Sequence, residues 1–379
     1  VKLFIFATHP IQYQVPIYVE LAKQVDLLVL YSYEQTAKGQ ADAGFNVAFE
    51  WDVPLLEGYR HHYLKNVAQH PTTRSYKGIV IEEEEVKKLI AKEQPDFAII
   101  HGWYPFAMRQ AAKWCRAAGV ATFCRGDSHL LMHTPRWKKL AKRFLMRSVL
   151  NQFDYFLYVG KANHAFYRHY GVKEERLFPA FHCVNTPYFE KEFEKVRVKE
   201  HKAPYHIGFA GKLIDLKRPF DLLHAIATSN HKTRIRLIVI GDGPLMEPLK
   251  EEALKLGVEV DFKGFLNQSE IVERGYAALD ALVLPSETET WGLVVNEVMT
   301  GGIPVVVSDK VGCRLDLVEN GRTGFSFEVG NRSDLSRRLD ALIEAFDQGQ
   351  MTSKEVKAKV AAYSLFETVK GYLKALRSV

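Results

Sequence analysis

Short apolar runs rich in β-branched and aromatic residues alternate with amphipathic helical stretches along nearly the whole chain, which is the pattern of parallel sheets covered by helices. The fold class expected is therefore α/β. In the first half, Lys2–Ala7, Leu27–Tyr31, Phe97–His101, Ala121–Arg125 and Tyr155–Val159 read as strands. Helical stretches near Pro16–Lys23, Glu83–Lys92, Phe106–Ala118, Trp137–Leu150 and Ala162–Tyr170 separate most of them. Between residues 190 and 204 the periodicity gives way to mixed charge, as in Glu190-Lys191-Glu192-Phe193-Glu194-Lys195, which suits a linker. A second cycle follows, with strands His206–Ala210, Arg236–Ile240, Glu259–Lys263, Ala281–Leu284 and Pro304–Ser308. Its helices fall near Pro219–Ala227, Leu245–Leu256, Ser269–Ala278 and Leu293–Thr300, and Lys354–Leu376 is helical by periodicity. Since single cores stop growing near ~250–300 residues, the 379 residues divide into two doubly wound domains, 1–189 and 205–363. Open α/β sheets bind ligands beyond the carboxyl ends of their strands, so two such domains in series are expected to face each other across a cleft that carries the function.

Charge is distributed unevenly. The net excess of +6 has one main address, because residues 101–150 hold ten basic side chains against the single Asp127. Within that segment, residues 136–147 form a basic amphipathic helix with Trp137, Leu140, Ala141, Phe144 and Leu145 on one stripe and most cations opposite. A solvated surface helix is one reading. Docking on anionic lipid headgroups or on an acidic acceptor is the other. No basic–aromatic repeat or recognised motif points to nucleic acid. No apolar run approaches the ~20 residues of a membrane helix, and the opening Val1-Lys2-Leu3-Phe4-Ile5-Phe6-Ala7 reads as a first buried strand and not as a secretory signal. Cys115, Cys124, Cys183 and Cys313 form no C-x-x-C pair, which excludes a disulfide scaffold or zinc ribbon and suits the cytoplasm.

Several familiar chemistries fail on inspection. Gly211-Lys212 follows a strand as a P-loop would, but His206 stands where the first glycine belongs and Leu213 replaces the magnesium-holding Ser or Thr. The turn Gly241-Asp242-Gly243-Pro244 lacks the third glycine of a dinucleotide fingerprint. There is no H-E-x-x-H, no G-x-S-x-G, and no Asp-x-Asp pair to hold a metal on a diphosphate. What remains is Pro285-Ser286-Glu287-Thr288-Glu289-Thr290-Trp291-Gly292-Leu293-Val294-Val295-Asn296-Glu297, running from a strand end through a loop into a helix. Exposed N–H groups of Gly292, Leu293 and Val294 at that helix start suit an anion such as a diphosphate. Glu289 and Glu297 offer paired acceptor oxygens to the hydroxyls of a sugar or ribose. Lys212 and Lys217, after the first strand of the second domain, supply cations for a departing diphosphate.

Taken together, these pieces resemble the retaining, nucleotide-sugar-dependent glycosyltransferases of family 4, which have the GT-B fold of two Rossmann-like domains. The matching residues are Gly211-Lys212 with Lys217, Ile240-Gly241-Asp242-Gly243-Pro244, Gly264, the Glu289-to-Glu297 segment, Gly302-Ile303-Pro304-Val305-Val306-Val307-Ser308, and Glu319-Asn320-Gly321 with Gly324-Phe325. The likeness is strong over about 207–342 and looser before it, although Thr8-His9-Pro10-Ile11-Gln12-Tyr13-Gln14 also looks like an opening of this family. It implies catalytic roles for Glu289, Lys212 and Lys217, with Glu289 on the transferred sugar and the lysines on the diphosphate. It implies donor binding by Glu297, Trp291, Gly292, Leu293 and Val294, with the base against Gly264 and Phe265. It also implies that a final helix, about 364–379, packs back on the first domain.

Two departures stand out. The family commonly has Arg where Lys212 stands, which keeps the charge but loses bidentate geometry. In the first domain His9-Pro10-Ile11 replaces a Gly-Gly turn, and Arg125 stands where a His is frequent. His9, His101, Arg125 and Asp127 follow strand ends and are the candidates for facing the cleft and the acceptor; Asp127 could instead cap a turn. The function expected is a retaining GT-B hexosyltransferase acting without metal or other cofactor. Its donor would be a nucleoside-diphosphate sugar, with UDP favoured over GDP, and its acceptor a hydroxyl of a surface glycan or glycolipid. It would reside in the cytoplasm, with peripheral membrane contact through residues 136–147. Two other readings compete: a non-catalytic nucleotide-sugar-binding partner protein and a GT-B sugar-nucleotide epimerase.

Overall fold

The computed structural model describes residues 1–34, 52–131, 136–196 and 202–379, with the backbone alone for 136–141. The chain forms two compact units. One comprises the segments that begin at Val1 and Pro54, the latter ending at His182, together with Leu365–Val379; the other is built on Cys183–Ser364.

The first unit holds a parallel sheet of β1 (Lys2–Ala7), β2 (Asp26–Tyr31), β3 (Arg60–Tyr63), β4 (Phe97–His101), β5 (Ala121–Gly126), β6 (Tyr155–Tyr158) and β7 (Leu177–Pro179) in the order β3-β2-β1-β4-β5-β6-β7. Central strands are buried on both faces: Leu3, Phe4, Ile5 and Phe6 are no more than 2% exposed. That is why they read as unbroken apolar runs, whereas the edge strands β3 (Arg-His-His-Tyr) and β7 (Leu-Phe-Pro) escape a sequence reading. The order reverses between the paired strands β1 and β4, and at such a switch point the connections leaving the two carboxyl ends diverge and leave a crevice.

The second unit repeats the scheme with β8 (Tyr205–Ala210), β9 (Ile235–Ile240), β10 (Val260–Gly264), β11 (Ala281–Leu284), β12 (Val305–Ser308) and β13 (Gly324–Phe327), ordered β10-β9-β8-β11-β12-β13 and all parallel. Its switch point lies between β8 and β11. The stretch expected as a linker is helical in its first part. Thr186–Lys195 forms a helix in which Phe189 and Phe193, four residues apart, are buried while the charges face outward. A Cβ on Gly301 would stand 2.4 Å from the Phe193 ring, so only glycine admits the helix there.

Two other helical expectations are redrawn. Ser269–Ala278 is a short helical turn followed by a π turn (Ile271–Gly275) and a 3₁₀ turn (Tyr276–Ala278). Lys354–Leu376 is broken by a 3₁₀ turn at Ala361–Tyr363 into Ser353–Val360 in the second unit and Leu365–Arg377 in the first. The latter helix docks closely: Thr368 Oγ1 donates to the Phe181 carbonyl at 2.9 Å, and Tyr372 is fully buried. The basic helix spans Arg136–Leu150, and among its described side chains Met146, Val149 and Leu150 are buried. Phe144 and Leu145, expected on the apolar stripe, are 68% and 63% exposed beside exposed Lys142, Arg143 and Arg147. The side chains of Trp137, Leu140 and Ala141 lie outside the described residues. Among the described residues no helix is long and apolar enough to cross a membrane.

Candidate functional site

In the second unit the loops after β8 and β11 flank the switch point, and they carry the candidate lysines and glutamates. The β8 loop leaves Ala210 through Gly211 and ends in a 3₁₀ turn, Asp215–Lys217. The β11 loop rises through Pro285–Trp291 into the helix Leu293–Thr300. The two are tied together. Glu287 N donates to the Leu216 carbonyl at 2.8 Å, and Arg218 Nη1 reaches Glu287 at 3.3 Å. The Lys217 ammonium forms an ion pair with Glu289 Oε2, both side chains retaining about a fifth of their exposure. Two candidates that lie 72 positions apart are thus brought into one contact.

The Glu289 loop is fixed from its other side as well. Gly312 N donates to the Glu289 carbonyl and Cys313 N to the Trp291 carbonyl, each at 3.0 Å. Gly292 caps the helix at φ +96°, a left-handed conformation that side chains resist, and a Cβ there would meet Leu284 at 3.0 Å and Val311 at 3.1 Å. Trp291 is 3% exposed and donates its ring N–H to Asn296 Oδ1 at 2.8 Å. Its side chain therefore anchors the helix start, and the partly exposed residues there are Leu293 and Val294. The first N–H groups of a helix have no partner within it, and with the aligned peptide dipoles they favour an anion.

Lys212 and Gly264 close the glycine-rich side. Gly241 N donates to the Gly264 carbonyl at 2.8 Å, and a Cβ on Gly241 would fall 2.0 Å from the Gly211 carbonyl oxygen, so the β8 and β9 loops interlock only with glycine at that place. Lys212 and Phe265 are partly exposed at this end of the sheet. Glu297 lies one turn into the Leu293–Thr300 helix and accepts a 2.6 Å hydrogen bond from the buried Tyr276 hydroxyl. Burial pushes its carboxyl above the ordinary range, and the Tyr276 hydrogen bond pulls it part of the way back. Tyr276 was not among the candidates; it lies 21 positions upstream in an irregular turn and carries no local motif.

In the first unit three of the four candidates converge. A cavity of about 170 Å³ opens at the carboxyl ends of β1, β4 and β5, lined by His101, Arg125 and Asp127 with Tyr13, Gln14 and His182. His9 is not in its lining; the Thr8 hydroxyl and His9 Nδ1 lie 3.0 Å apart, and burial lowers the His9 pKa. Asp127 Oδ2 lies 4.0 Å from His182 Nε2. Burial, and then the Arg125 charge, hold both His101 and His182 well below the usual histidine range, so both rings are neutral. His182 follows the β7 strand, which was not recognisable in the sequence, and so it went unmarked.

The chain resembles known proteins in sequence and in fold. Residues 190–359 match the family model "Glycosyl transferases group 1". Sulfoquinovosyl transferase SQD2 of Arabidopsis thaliana is 31% identical over 185 residues, which is 47% of this chain and 34% of that protein. N-acetyl-alpha-D-glucosaminyl L-malate synthase of Bacillus anthracis is 26% identical over 48% of each chain. The aligned segments thus span from a third to a half of these curated relatives. Among solved structures, the lipopolysaccharide outer core galactosyltransferase WaaB covers 99% of both chains at a TM-score of 0.73 and 16% identity. Anabaena Alr3699/HepE in complex with UDP covers 100% of both at 0.73 and 16%. Those likenesses extend over both units, and the two parallel sheets with alternating helices are the GT-B fold. Over residues 190–359, the chain is thus similar to the glycosyl transferases group 1 family.

Proposed function

We propose that this protein is a retaining glycosyltransferase that moves a sugar from a nucleoside-diphosphate sugar to a hydroxyl of a glycan or glycolipid. One observation carries the reading: at the switch point of the second sheet, Lys217, Glu289 and a helix amino end meet in one contact network. Breaking the bond between the sugar and the diphosphate leaves negative charge on the diphosphate and an oxocarbenium-like sugar. Lys212, Lys217 and the N–H groups of Leu293 and Val294 stabilise the first, each such donor contributing about 3–4 kcal/mol to the barrier. Glu289 accepts from hydroxyls of the transferred sugar, and Glu297 from those of the ribose. The departing phosphate takes the acceptor proton, which leaves attack and departure on one face and the anomeric configuration unchanged. In this reading the cations and the helix end supply the positive potential that the diphosphate requires, and no divalent metal takes part.

UDP is the favoured nucleotide, in keeping with the UDP and UDP-glucose complexes of Anabaena Alr3699/HepE, although GDP-mannose-dependent alpha-mannosyltransferases of Mycobacterium tuberculosis and Corynebacterium glutamicum are also relatives. The test is release of free nucleoside diphosphate from UDP- and GDP-sugars, each with and without a glycan or glycolipid acceptor, in EDTA throughout, with the anomeric product read by NMR. Acceptor-dependent release with retention is the expected result. Tight donor binding without release would make the chain a binding partner, and an altered sugar nucleotide without acceptor would make it an epimerase. A membrane-surface acceptor is favoured by exposed Phe144 and Leu145 set among Lys142, Arg143 and Arg147, a pairing of apolar and cationic groups that suits anionic headgroups.

A further inference from the structure

The cavity of the first unit contains a guanidinium without a counterion. Arg125 is 3% exposed. Its Nη2 reaches the Ala180 carbonyl at 3.4 Å, its plane lies over the Tyr372 ring at 5.5 Å, and its Nε has no hydrogen-bond partner. Among the described residues no carboxylate pairs with it, because Asp127 approaches His182 instead. A buried cation left in this way is costly, and Arg cannot shed its charge as Lys or His can.

Its neighbours share the deficit. Both ring nitrogens of His101 are shielded from solvent and neither has a partner. Gln14, 6% exposed, uses its Oε1 to accept from the Tyr18 hydroxyl at 2.7 Å, which leaves its amide N–H groups as donors on the cavity wall. Gln14 is also the cap residue of the helix Val15–Ala22, whose positive dipole end therefore adjoins the cavity. Among the described residues Asp127 is the only carboxylate in the lining, and it is 40% exposed.

We infer that this cavity is an oxyanion subsite, taking a phosphate or carboxylate group carried by the acceptor, with Asp127 accepting from a hydroxyl of the same molecule. The inference rests on the transferase reading for its word "acceptor", since that reading leaves the donor to the second unit. An oxyanion supplies what each group lacks. It is the bidentate partner of Arg125, the acceptor for Gln14 and the tautomer-selecting partner of His101. At about 170 Å³ the cavity has room for a small anionic group.

The test titrates inorganic phosphate, and separately methyl phosphate, acetate and methyl glucoside, into the full chain at constant ionic strength, with the donor site filled by saturating UDP. Thermal unfolding and calorimetry give the readouts. Expected are a saturable rise in Tm with phosphate and methyl phosphate, none with methyl glucoside, and phosphate affinity about tenfold or more weaker in Arg125→Met. Removing an uncompensated buried cation also raises the resting Tm, whereas loss of a merely structural arginine lowers it and leaves the phosphate response intact, which would overturn the inference. Should Arg125→Met fail to fold, His101→Phe serves with the same expected direction, and the His101 Cε1–H resonance of the unaltered chain must move during the phosphate titration. If UDP abolishes phosphate binding and Arg125→Met weakens UDP, the anion belongs to the donor's diphosphate and the acceptor assignment fails. In Glu297→Gln, UDP binding weakens while phosphate binding, measured without UDP and read from the His101 resonance, persists. Failure of the donor reading is thereby separated from failure of this one.

Discussion

Replacing Tyr276 with Phe removes one oxygen and leaves the shape of the core unchanged, yet it bears directly on the donor. The Tyr276 hydroxyl donates to Glu297 at 2.6 Å, and Glu297 is a carboxyl already raised by burial. A hydrogen bond to a charged group is worth about 1.5–3 kcal/mol. Its loss therefore moves the Glu297 pKa further up, because the ionised form loses a donor. The sign follows from which form is needed. Accepting two ribose hydroxyls requires the ionised carboxylate, so donor affinity is present above the folded pKa and is lost as pH falls through it. In Tyr276→Phe the acid limb of the donor-KM profile therefore shifts to higher pH, with kcat at saturating donor unchanged. Stability runs the other way. A carboxyl that is harder to ionise when folded than when unfolded contributes stability that is present at low pH and drains away as pH rises from the unfolded value through the folded one. Glu297→Gln removes that loss, so it should be more stable than the parent above the folded pKa while binding donor weakly at every pH. Steady-state kinetics across pH and urea unfolding at two pH values measure both. Superimposable acid limbs for the parent and Tyr276→Phe would refute the reasoning, since Glu297 would then not hold the donor in its ionised form.

Three further outcomes are expected. Lys217→Met should lower kcat by about 10²–10³ with a much smaller change in donor Kd, measured by nucleoside diphosphate release and by calorimetry. Gly292→Ala places a side chain at φ +96° against Leu284 and Val311 and should cost about 1–2 kcal/mol in urea unfolding. Charge reversal at Lys138, Lys139 and Lys142 should abolish binding to anionic vesicles and leave activity on a soluble acceptor intact; unchanged vesicle flotation would remove the lipid reading.

The double α/β plan was legible because central parallel strands are buried on both faces and so appear as apolar runs that need no context. What escaped was decided by context. Arg60-His61-His62-Tyr63 is a strand only because β2 offers it a free edge, and Leu177-Phe178-Pro179 is too short to show a period. The helix Thr186–Lys195 hid behind its charges, with only Phe189 and Phe193 to mark an inner face. In the second unit the lysines and glutamates were recognisable as a set, but the contact between Lys217 and Glu289 is a product of strand order, which brings the first and fourth strands of the unit side by side. Tyr276 and His182 could not have been found, because each matters through a partner that only tertiary structure supplies.

The helix Leu365–Arg377 belongs to the unit whose other strands precede it by nearly two hundred residues. Its Gly371 is pressed so closely on β7 that a Cβ would stand 2.3 Å from the Pro179 carbonyl, and its Tyr372 underlies Arg125. During synthesis the first sheet must therefore wait, with one wall missing, until the whole second unit has left the ribosome. Cutting the chain after Ser364 would spare the second unit and strike the first, so the damage would appear far from the cut in sequence.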